Sequence, residues 1–249
     1  MKKFILSVSM FLLIVSANCF SINEVSAQDN AKVYIRIAEL TVKDISVASK
    51  ALLKMNPSYL KASNGVLKGR NAYSSESGLV YVFSSFEDLG KVMQESGDYY
   101  TKASLDNPGV ADEMSANAQA PNVLSVWLRF NEASNNVDNY NPSDYDFRRV
   151  SIVNVITGKS KEYEALLIKQ NELLLKLGFN LNKMVFKSVI GYTQSTYLTL
   201  FADHSMSGYI AERSERMKKI YESSEYAKVT NAMRALSIPV KVDFLTRFK

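Results

Sequence analysis

The chain is poor in the two residue types that carry most metal and nucleophile chemistry. Its 249 residues include one cysteine, Cys19, and one histidine, His204. A disulfide needs two cysteines, and a typical zinc centre takes several thiolate or imidazole ligands. The sequence therefore excludes an internal disulfide and a multi-histidine metal site. One imidazole would still suffice as the single protein ligand of a haem.

Motifs that bind nucleotides or build a serine nucleophile are also missing. Gly-x-Gly-x-x-Gly, Gly-x-x-x-x-Gly-Lys and Gly-x-Ser-x-Gly do not occur. Asp203-His204-Ser205 contains the residue types of a triad, but triad side chains converge from separate segments. The net charge of +5 comes without a long Lys/Arg cluster, so nucleic acid is not an expected partner.

The N-terminus is typical of a secretory signal peptide. Lys2 and Lys3 precede a mostly apolar run of 12 residues, from Phe4 to Val15. Polar residues follow before the roughly 20 apolar residues that a membrane-spanning helix needs. We therefore expect an exported protein, periplasmic or extracellular, without a permanent membrane span.

Two small-residue patterns could direct signal cleavage. Val25-Ser26-Ala27 is favoured over Val15-Ser16-Ala17, which makes residues 1–27 the signal peptide and Gln28 the new terminus. The mature chain would then contain no cysteine. A lipid anchor on Cys19 is the less favoured alternative.

The rest of the chain repeats one order of elements, βαββαβ. Residues 28–130 form the first predicted repeat, residues 131–148 a polar linker, and residues 149–249 the second repeat. Four anchor pairs between the repeats share an offset of 117 positions, from Val33 and Val150 onward. The predicted strands are Val33–Val42, Val66–Tyr73, Leu79–Ser84, Val123–Phe130, Val150–Ile156, Met184–Tyr192, Tyr197–Phe201 and Val240–Phe248. The predicted helices are Ile45–Lys54, Phe86–Tyr100, Lys161–Leu177 and most of Met206–Leu236.

Two stretches interrupt this pattern. Asn56-Pro57 is expected to end the first helix. Asp98–Asn122 is expected to be irregular, with a short helix, and to be a surface loop rather than a lid.

Over almost all of the expected mature chain, the sequence resembles the dimeric α+β barrel superfamily in its tandem-repeat form, and it is remotely similar to antibiotic-biosynthesis-type monooxygenases. The resemblance is carried by the element order and by a strand followed by Asp203-His204 and a helix containing Ser223-Ser224-Glu225-Tyr226. It implies an α+β fold in which two tandem ferredoxin-like repeats pair their antiparallel sheets into an α+β barrel. Superfamily members include cofactor-free oxygenases, haem-degrading enzymes and haem-binding proteins with two fused repeats.

The resemblance also implies a central cavity lined by one face of each sheet. Polar residues that interrupt apolar strands then either orient a ligand there or lie at strand ends and in solvent. They are Arg36, Asn154, Lys241, Asp243 and Arg247. The expected ligand-binding residues are Arg36, Tyr192, Tyr197 and Arg247.

Haem-degrading members use an Asn on the first strand, a Trp on the third strand and a His on the following helix. Asn154 and His204 match the first and last of these in the second repeat. The third strand there has no tryptophan, because Trp127 lies in the first repeat.

The sequence therefore predicts a non-enzymatic exported protein, monomeric or homodimeric, that binds a small apolar ligand or a partner in the cell envelope. No metal and no cofactor is expected. The alternative is a haem-binding or oxygenase-like enzyme that uses Asn154 and His204.

Overall fold

The computed structural model describes residues 32–119, 123–135 and 144–249. The predicted signal peptide, its cleavage sites and Cys19 lie outside the described residues. The first repeat contains β1 (Tyr34–Thr41), α1 (Ile45–Ala62), β2 (Leu67–Ser75), β3 (Leu79–Phe86), α2 (Leu89–Asp106), α3 (Pro108–Asn117) and β4 (Val123–Arg129). The second contains β5 (Phe147–Val155), α4 (Ser160–Lys176), β6 (Lys183–Ile190), β7 (Thr196–Asp203), α5 (Met206–Glu222), α6 (Ser224–Leu236) and β8 (Ser237–Arg247).

The strands close into one antiparallel barrel in the order β1-β3-β2-β8-β5-β7-β6-β4. Each repeat contributes four strands whose fourth lies beside the first and whose third lies between first and second. The two sheets join where β2 pairs with β8 and where β4 pairs with β6. The predicted α+β class and the pairing of two ferredoxin-like repeats are confirmed.

Side chains alternate across each strand, so one set fills the barrel and the other meets the helices. A buried apolar cluster occupies the middle of the barrel, and it includes Ile37, Tyr81, Phe83, Trp127 and Leu198. Separate clusters lie between the outer sheet face and the helices. The centre of the barrel is therefore filled rather than hollow.

The first helix is longer than expected, because Pro57 does not end it. α1 continues through Pro57 to Ala62. Proline removes one helix N–H, but the buried face formed by Met55, Asn56 and Tyr59 holds the next turn against the protein. Tertiary packing outweighs the local signal.

The predicted irregular stretch is largely helical, and the second helix begins later than expected. Phe86 is the last residue of β3, where it is fully buried opposite Tyr34. The helix α2 begins after Asp88, whose Oδ1 caps it by accepting from Lys91 N at 2.9 Å. α2 runs on to Asp106, and Pro108 starts α3 from the first helical position, where proline costs no hydrogen bond. The expectation of an irregular surface loop there was wrong, whereas the short helix expected within it is present as α3.

Boundaries in the second half also shift. β5 begins at Phe147, so the last two residues of the predicted linker belong to the barrel. Ser223 divides the predicted long helix into α5 and α6. None of the helices in the described ranges is long and apolar enough to cross a membrane.

Candidate functional site

The two ends of the barrel differ in structure. The open end is where β1, β2, β5 and β6 begin and the other four strands finish, as the pairs Tyr34–Phe86 and Phe147–Asp203 indicate. The closed end is the opposite one. Each end combines residues from both repeats.

The open end contains a cavity of about 360 Å³. This volume lies in the lower part of the range for small-molecule pockets, roughly 300–1,000 Å³. The described residues that line the cavity are Val33, Ile35, Lys68, Gly69, Asn71, Phe83, Ser84, Ser85, Arg129, Arg148, Met184, Phe186 and Leu200. Its walls are mainly apolar, with polar groups from β2, β3, β4 and β5.

A bulge in β2 shapes the mouth of the cavity. The pairing register of β2 with β3 shifts between Leu67 and Gly69, which leaves Lys68 as the extra residue. A Cβ on Gly69 would lie 3.2 Å from Ser85 Oγ, closer than ordinary contact. The missing side chain therefore keeps this part of the mouth open, and bulges commonly occur at barrel rims and beside functional sites.

Arg148 carries a buried positive charge into the open end. Its guanidinium carbon lies 4.5 Å from the ring centroid of Tyr73 and 5.5 Å from that of Phe83. Both contacts have the geometry of cation–π interactions, which stabilise a partly desolvated guanidinium. The side chain is thus held in place before any ligand arrives.

Three cationic side chains belong to the lining of the cavity. Lys68, Arg129 and Arg148 line it, and no carboxylate stands among its described lining residues. Arg129 Nε donates to Asn131 Oδ1 at 2.7 Å, which orients its guanidinium. The arrangement favours a negatively charged group on any bound molecule.

Tyr73 lies against Arg148, in the core beneath the open end. Burial raises the pKa of its phenol, although Arg148 and Arg247 oppose that effect. Its hydroxyl oxygen has no hydrogen-bond partner among the described residues. Tyr73 therefore stays neutral near pH 7 and has a hydroxyl proton to donate.

An ion network joins side chains at the closed end. Lys241 Nζ lies 2.5 Å from Glu39 Oε2 and 3.2 Å from Asp243 Oδ2. Tyr81 Oη donates to Asp243 Oδ2, and burial followed by this hydrogen bond raises the pKa of the phenol. One cation lies between two carboxylates here, so the charged groups of the closed end pair with one another within the chain.

The four expected ligand-binding residues do not come together. Arg36 and Tyr197 face the helices, where Arg36 Nη2 donates to Tyr59 Oη at 2.9 Å and Tyr197 Oη donates to Glu164 Oε1 at 2.6 Å.

Only the other two residues lie within reach of the barrel interior, and they lie at opposite ends. Tyr192 packs on Trp127 toward the closed end, with ring centroids 5.0 Å apart. Arg247 pairs with Tyr73 in the sheet toward the open end.

Asn154 and His204 are also separated. Asn154 pairs with Thr196 at the start of β7, whereas His204 follows the end of that strand. Eight residues of extended chain place them roughly 25 Å apart. They cannot act on one small ligand.

The open-end cavity does not fit a haem. Its described lining has no histidine, cysteine or tyrosine to serve as an axial ligand. His204 is exposed, and its Nδ1 donates to the backbone carbonyl of Asp144 at 2.8 Å. The described residues also contain no group of three or more His, Cys, Asp or Glu side chains placed to hold a metal ion.

Sequence reasoning missed the residues that give the cavity its charge. The predicted linker includes Arg148, and the expected ligand-binding residues include neither Lys68 nor Arg129. The alternation of β5 contained a usable signal, since Arg148 shares the inward face with Val150 and Ile152. No local pattern marked the bulge at Lys68.

No model of a known protein family matches the chain, and no curated protein matches its sequence. Solved structures do match it over most of its length. A predicted monooxygenase from Lactobacillus acidophilus NCFM is 11% identical with a TM-score of 0.58, covering 88% of this chain and 95% of that one. A predicted chlorite dismutase is 9% identical with a TM-score of 0.55, covering 88% and 96%.

An anthrone oxidase-like protein is similar at 9% identity and a TM-score of 0.55, with 89% of this chain and 93% of that one covered. The chain has the fold of the dimeric α+β barrel superfamily. The resemblance expected from the sequence is therefore confirmed. At these identities the likeness extends to the fold and not to any activity.

Proposed function

We propose that the open-end cavity binds a small apolar molecule that carries one acidic group, and that it does so without transforming it. The supporting observation is the make-up of the cavity, whose lining places three cationic side chains, Lys68, Arg129 and Arg148, beside apolar walls. The proposal keeps the ligand class expected from the sequence and adds the acidic group.

The apolar part of the ligand would contact one continuous wall. Phe83, Phe186 and Leu200 belong to the central apolar cluster and also line the cavity. Removing hydrocarbon from water against such a wall contributes roughly 25 cal/mol per Å². A ligand with a short chain or a single ring suits the cavity volume.

The acidic group would pair with Arg148. A guanidinium matches the two oxygens of a carboxylate in a bidentate geometry, and such charge-assisted hydrogen bonds are stronger than neutral ones. The rings of Tyr73 and Phe83 restrict Arg148, so little conformational entropy would be lost on binding. Asn71 and Ser85 offer further hydrogen bonds at the rim.

The test is a calorimetric titration with octanoate and benzoate, set against octanol and benzyl alcohol. We expect the acids to bind and the alcohols to bind at least about tenfold more weakly, because one charged hydrogen bond contributes roughly 1.5–3 kcal/mol. Equal affinity for acids and alcohols would contradict the proposal.

Export is part of the proposed function, supported by the N-terminal sequence alone. Lys2, Lys3 and the apolar run that follows are what a signal peptidase substrate requires. Cell fractionation and N-terminal sequencing of the mature protein test it, with Gln28 as the expected first residue. A chain that begins at Met1 in the cytoplasm would contradict export.

Haem binding is the alternative, and its one support in the structure is His204. Because the Asp144 carbonyl can only accept, Nδ1 carries the proton and Nε2 of the neutral ring is the nitrogen able to bind a metal. An absorbance titration with haem, run beside His204→Ala, tests this alternative. A Soret shift that the variant abolishes would favour it over the acid-binding proposal.

A further inference from the structure

Residues at equivalent positions on three neighbouring strands form a row across the outer face of each sheet. Each row has one residue on the first, third and second strand, in spatial order. Its central member is the sixth residue of an eight-residue third strand in both repeats. The first cation row is Arg36, Ser84 and Arg70, and the second cation row is Arg149, Phe201 and Lys183.

The pairing that defines these rows corrects the offset expected from the sequence. Ser84 and Phe201 are 117 positions apart, as expected, but Arg36 and Arg149 are 113 apart, as are Arg70 and Lys183. The common offset therefore holds for the third strands only.

The first cation row is satisfied within the chain. Arg36 Nη2 donates to Tyr59 Oη at 2.9 Å. Arg70 donates to Asn56 Oδ1 at 2.8 Å and to Ser84 Oγ at 3.0 Å, and its guanidinium carbon lies 4.1 Å from the ring centroid of Tyr59.

The second cation row lacks these partners. Lys183 is 1% exposed, and its Nζ has no hydrogen-bond partner among the described residues. The same is true of Arg149 Nε and of Asn171 Oδ1 on α4. Asn171 and Asn56 are each the twelfth residue of the first helix of their repeat. The second repeat therefore keeps the framework of the row without its hydrogen bonds.

Two substitutions between the repeats account for the loss. Phe201 stands where the first row has Ser84, which removes a hydroxyl acceptor. Leu174 is the fifteenth residue of α4, as Tyr59 is of α1, which removes the phenol. Hydrocarbon replaces both acceptors, while a cation remains on each side of Phe201.

A third cation, Arg216 of α5, reaches the same ring. The guanidinium carbons of Arg216 and Arg149 lie 5.7 Å and 5.8 Å from the ring centroid of Phe201. Arg216 is 6% exposed, and its Nη1 also lacks a partner among the described residues. None of the ion pairs within 4.0 Å among the described residues involves Arg149, Lys183 or Arg216. Glu212, one turn before Arg216 on α5, lies beyond that distance but is near enough for the charge of Arg216 to act on its carboxyl.

We propose that Arg149, Lys183 and Arg216 bind a small oxyanion, a phosphate or sulfate group, beneath α5 of the second repeat. A buried cation without a counter-charge is unfavourable, and water supplies no charge to balance it. A tetrahedral oxyanion offers several acceptor oxygens and up to two negative charges to three cations. The site lies outside the barrel wall and is separate from the open-end cavity.

The experiment is a calorimetric titration of the purified protein with inorganic phosphate at constant ionic strength, beside chloride. We expect saturable binding of phosphate and none of chloride. Lys183→Met and Arg216→Gln should each weaken phosphate binding at least about tenfold, since each removes a charged hydrogen bond. Arg70→Met, at the equivalent position of the first row, is the matched control and should leave phosphate affinity unchanged.

Thermal unfolding adds a readout that a merely structural lysine would not give. Without phosphate, Lys183→Met should unfold at a higher temperature than the original protein, because an uncompensated buried charge is gone. With phosphate, the original protein should gain stability and the variant should not. No phosphate binding, or equal binding by original protein and Lys183→Met, would overturn the proposal.

A second ligand distinguishes a site for a free anion from a site for the phosphate group of a larger molecule. Glycerol 3-phosphate should fail to bind if the site holds a free ion, because Lys183 and Arg216 are buried. Binding of both ligands would instead assign the site to the phosphate group of a larger molecule. Binding of neither overturns the oxyanion site.

Discussion

The two ends of the barrel show what charge balance does in the same fold. At the closed end, Lys241 lies between Glu39 and Asp243 and forms an ion pair with each. At the open end, Arg129 and Arg148 line a cavity with no carboxylate among its described residues. The charged groups of the closed end therefore pair with one another, whereas the open end presents cationic side chains to a cavity with apolar walls.

The same contrast recurs on the outer face. The first cation row has its acceptors in Tyr59, Asn56 and Ser84, and the second has lost two of three. Duplication supplied two equivalent frameworks, and substitution of a few acceptors separates a structural set from a binding set. We expect the free energy of unfolding to depend on the polar groups that pair within the chain, at the closed end and in the first cation row. We expect ligand affinity to depend on the cations of the open-end cavity and of the second cation row.

The largest expected effect on stability is at the closed end. Asp243→Ala leaves the Tyr81 hydroxyl without its acceptor and Lys241 with one carboxylate. We expect the free energy of unfolding to fall by about 2–3 kcal/mol, at the low end for a broken buried pair because Lys241 is partly exposed. Urea denaturation measures it. A comparable loss of octanoate binding free energy in this variant would contradict the distinction between the two ends.

Arg148→Met makes the complementary change at the open end. We expect octanoate affinity to fall about ten- to a hundredfold, from the loss of a bidentate charged contact. The stability of the free protein should change by less than it does in Asp243→Ala, since Met keeps much of the packing against Tyr73. Calorimetry and urea denaturation on the same sample check both. Unchanged octanoate binding would count against the open end as the ligand site.

Alkaline unfolding tests the closed end by another route. Because the pKa of Tyr81 is raised in the folded protein, the unfolded chain loses that proton first, near pH 10. The contribution of Tyr81 is therefore complete below pH 10 and is lost as pH rises above it. Tyr81→Phe should make the fall shallower, by up to about 1.4 kcal/mol per pH unit. Superimposable curves would mean that Tyr81 is not held neutral.

The smallest effect concerns the shape of the mouth. Gly69→Val should weaken benzoate binding by about three- to tenfold, because the new side chain enters space near Ser85. Gly109→Val is the control, since a Cβ there has no heavy atom within 4 Å. Tighter benzoate binding in Gly69→Val would mean that the ligand lies elsewhere.

Local patterns were enough to predict most of the fold. Alternating apolar residues identified the strands, and the duplicated order predicted two paired repeats. Pro57 gave a wrong prediction of the end of α1, because burial of Tyr59 holds the next helical turn against the protein. The stretch after Asp98 gave a wrong prediction of a loop, because its proline occupies the first position of α3. Those are tertiary effects that a window of sequence does not contain.

The candidate site could not be predicted in the same way, because it depends on register. Glu39 and Lys241 meet across 202 positions, and Arg148 enters the barrel only because β5 begins at Phe147. Asn154 and His204 lie on suitable elements but at opposite ends of β7. Residue type and element order indicated candidates, while strand pairing decided which of them meet.

The most direct test of the central claim is a crystal structure of the protein grown with a brominated aromatic acid such as 4-bromobenzoate. The account predicts an anomalous bromine peak within the open-end cavity, with the carboxylate against the Arg148 guanidinium. A bromine peak at any other site, with the open-end cavity holding only solvent, would contradict it.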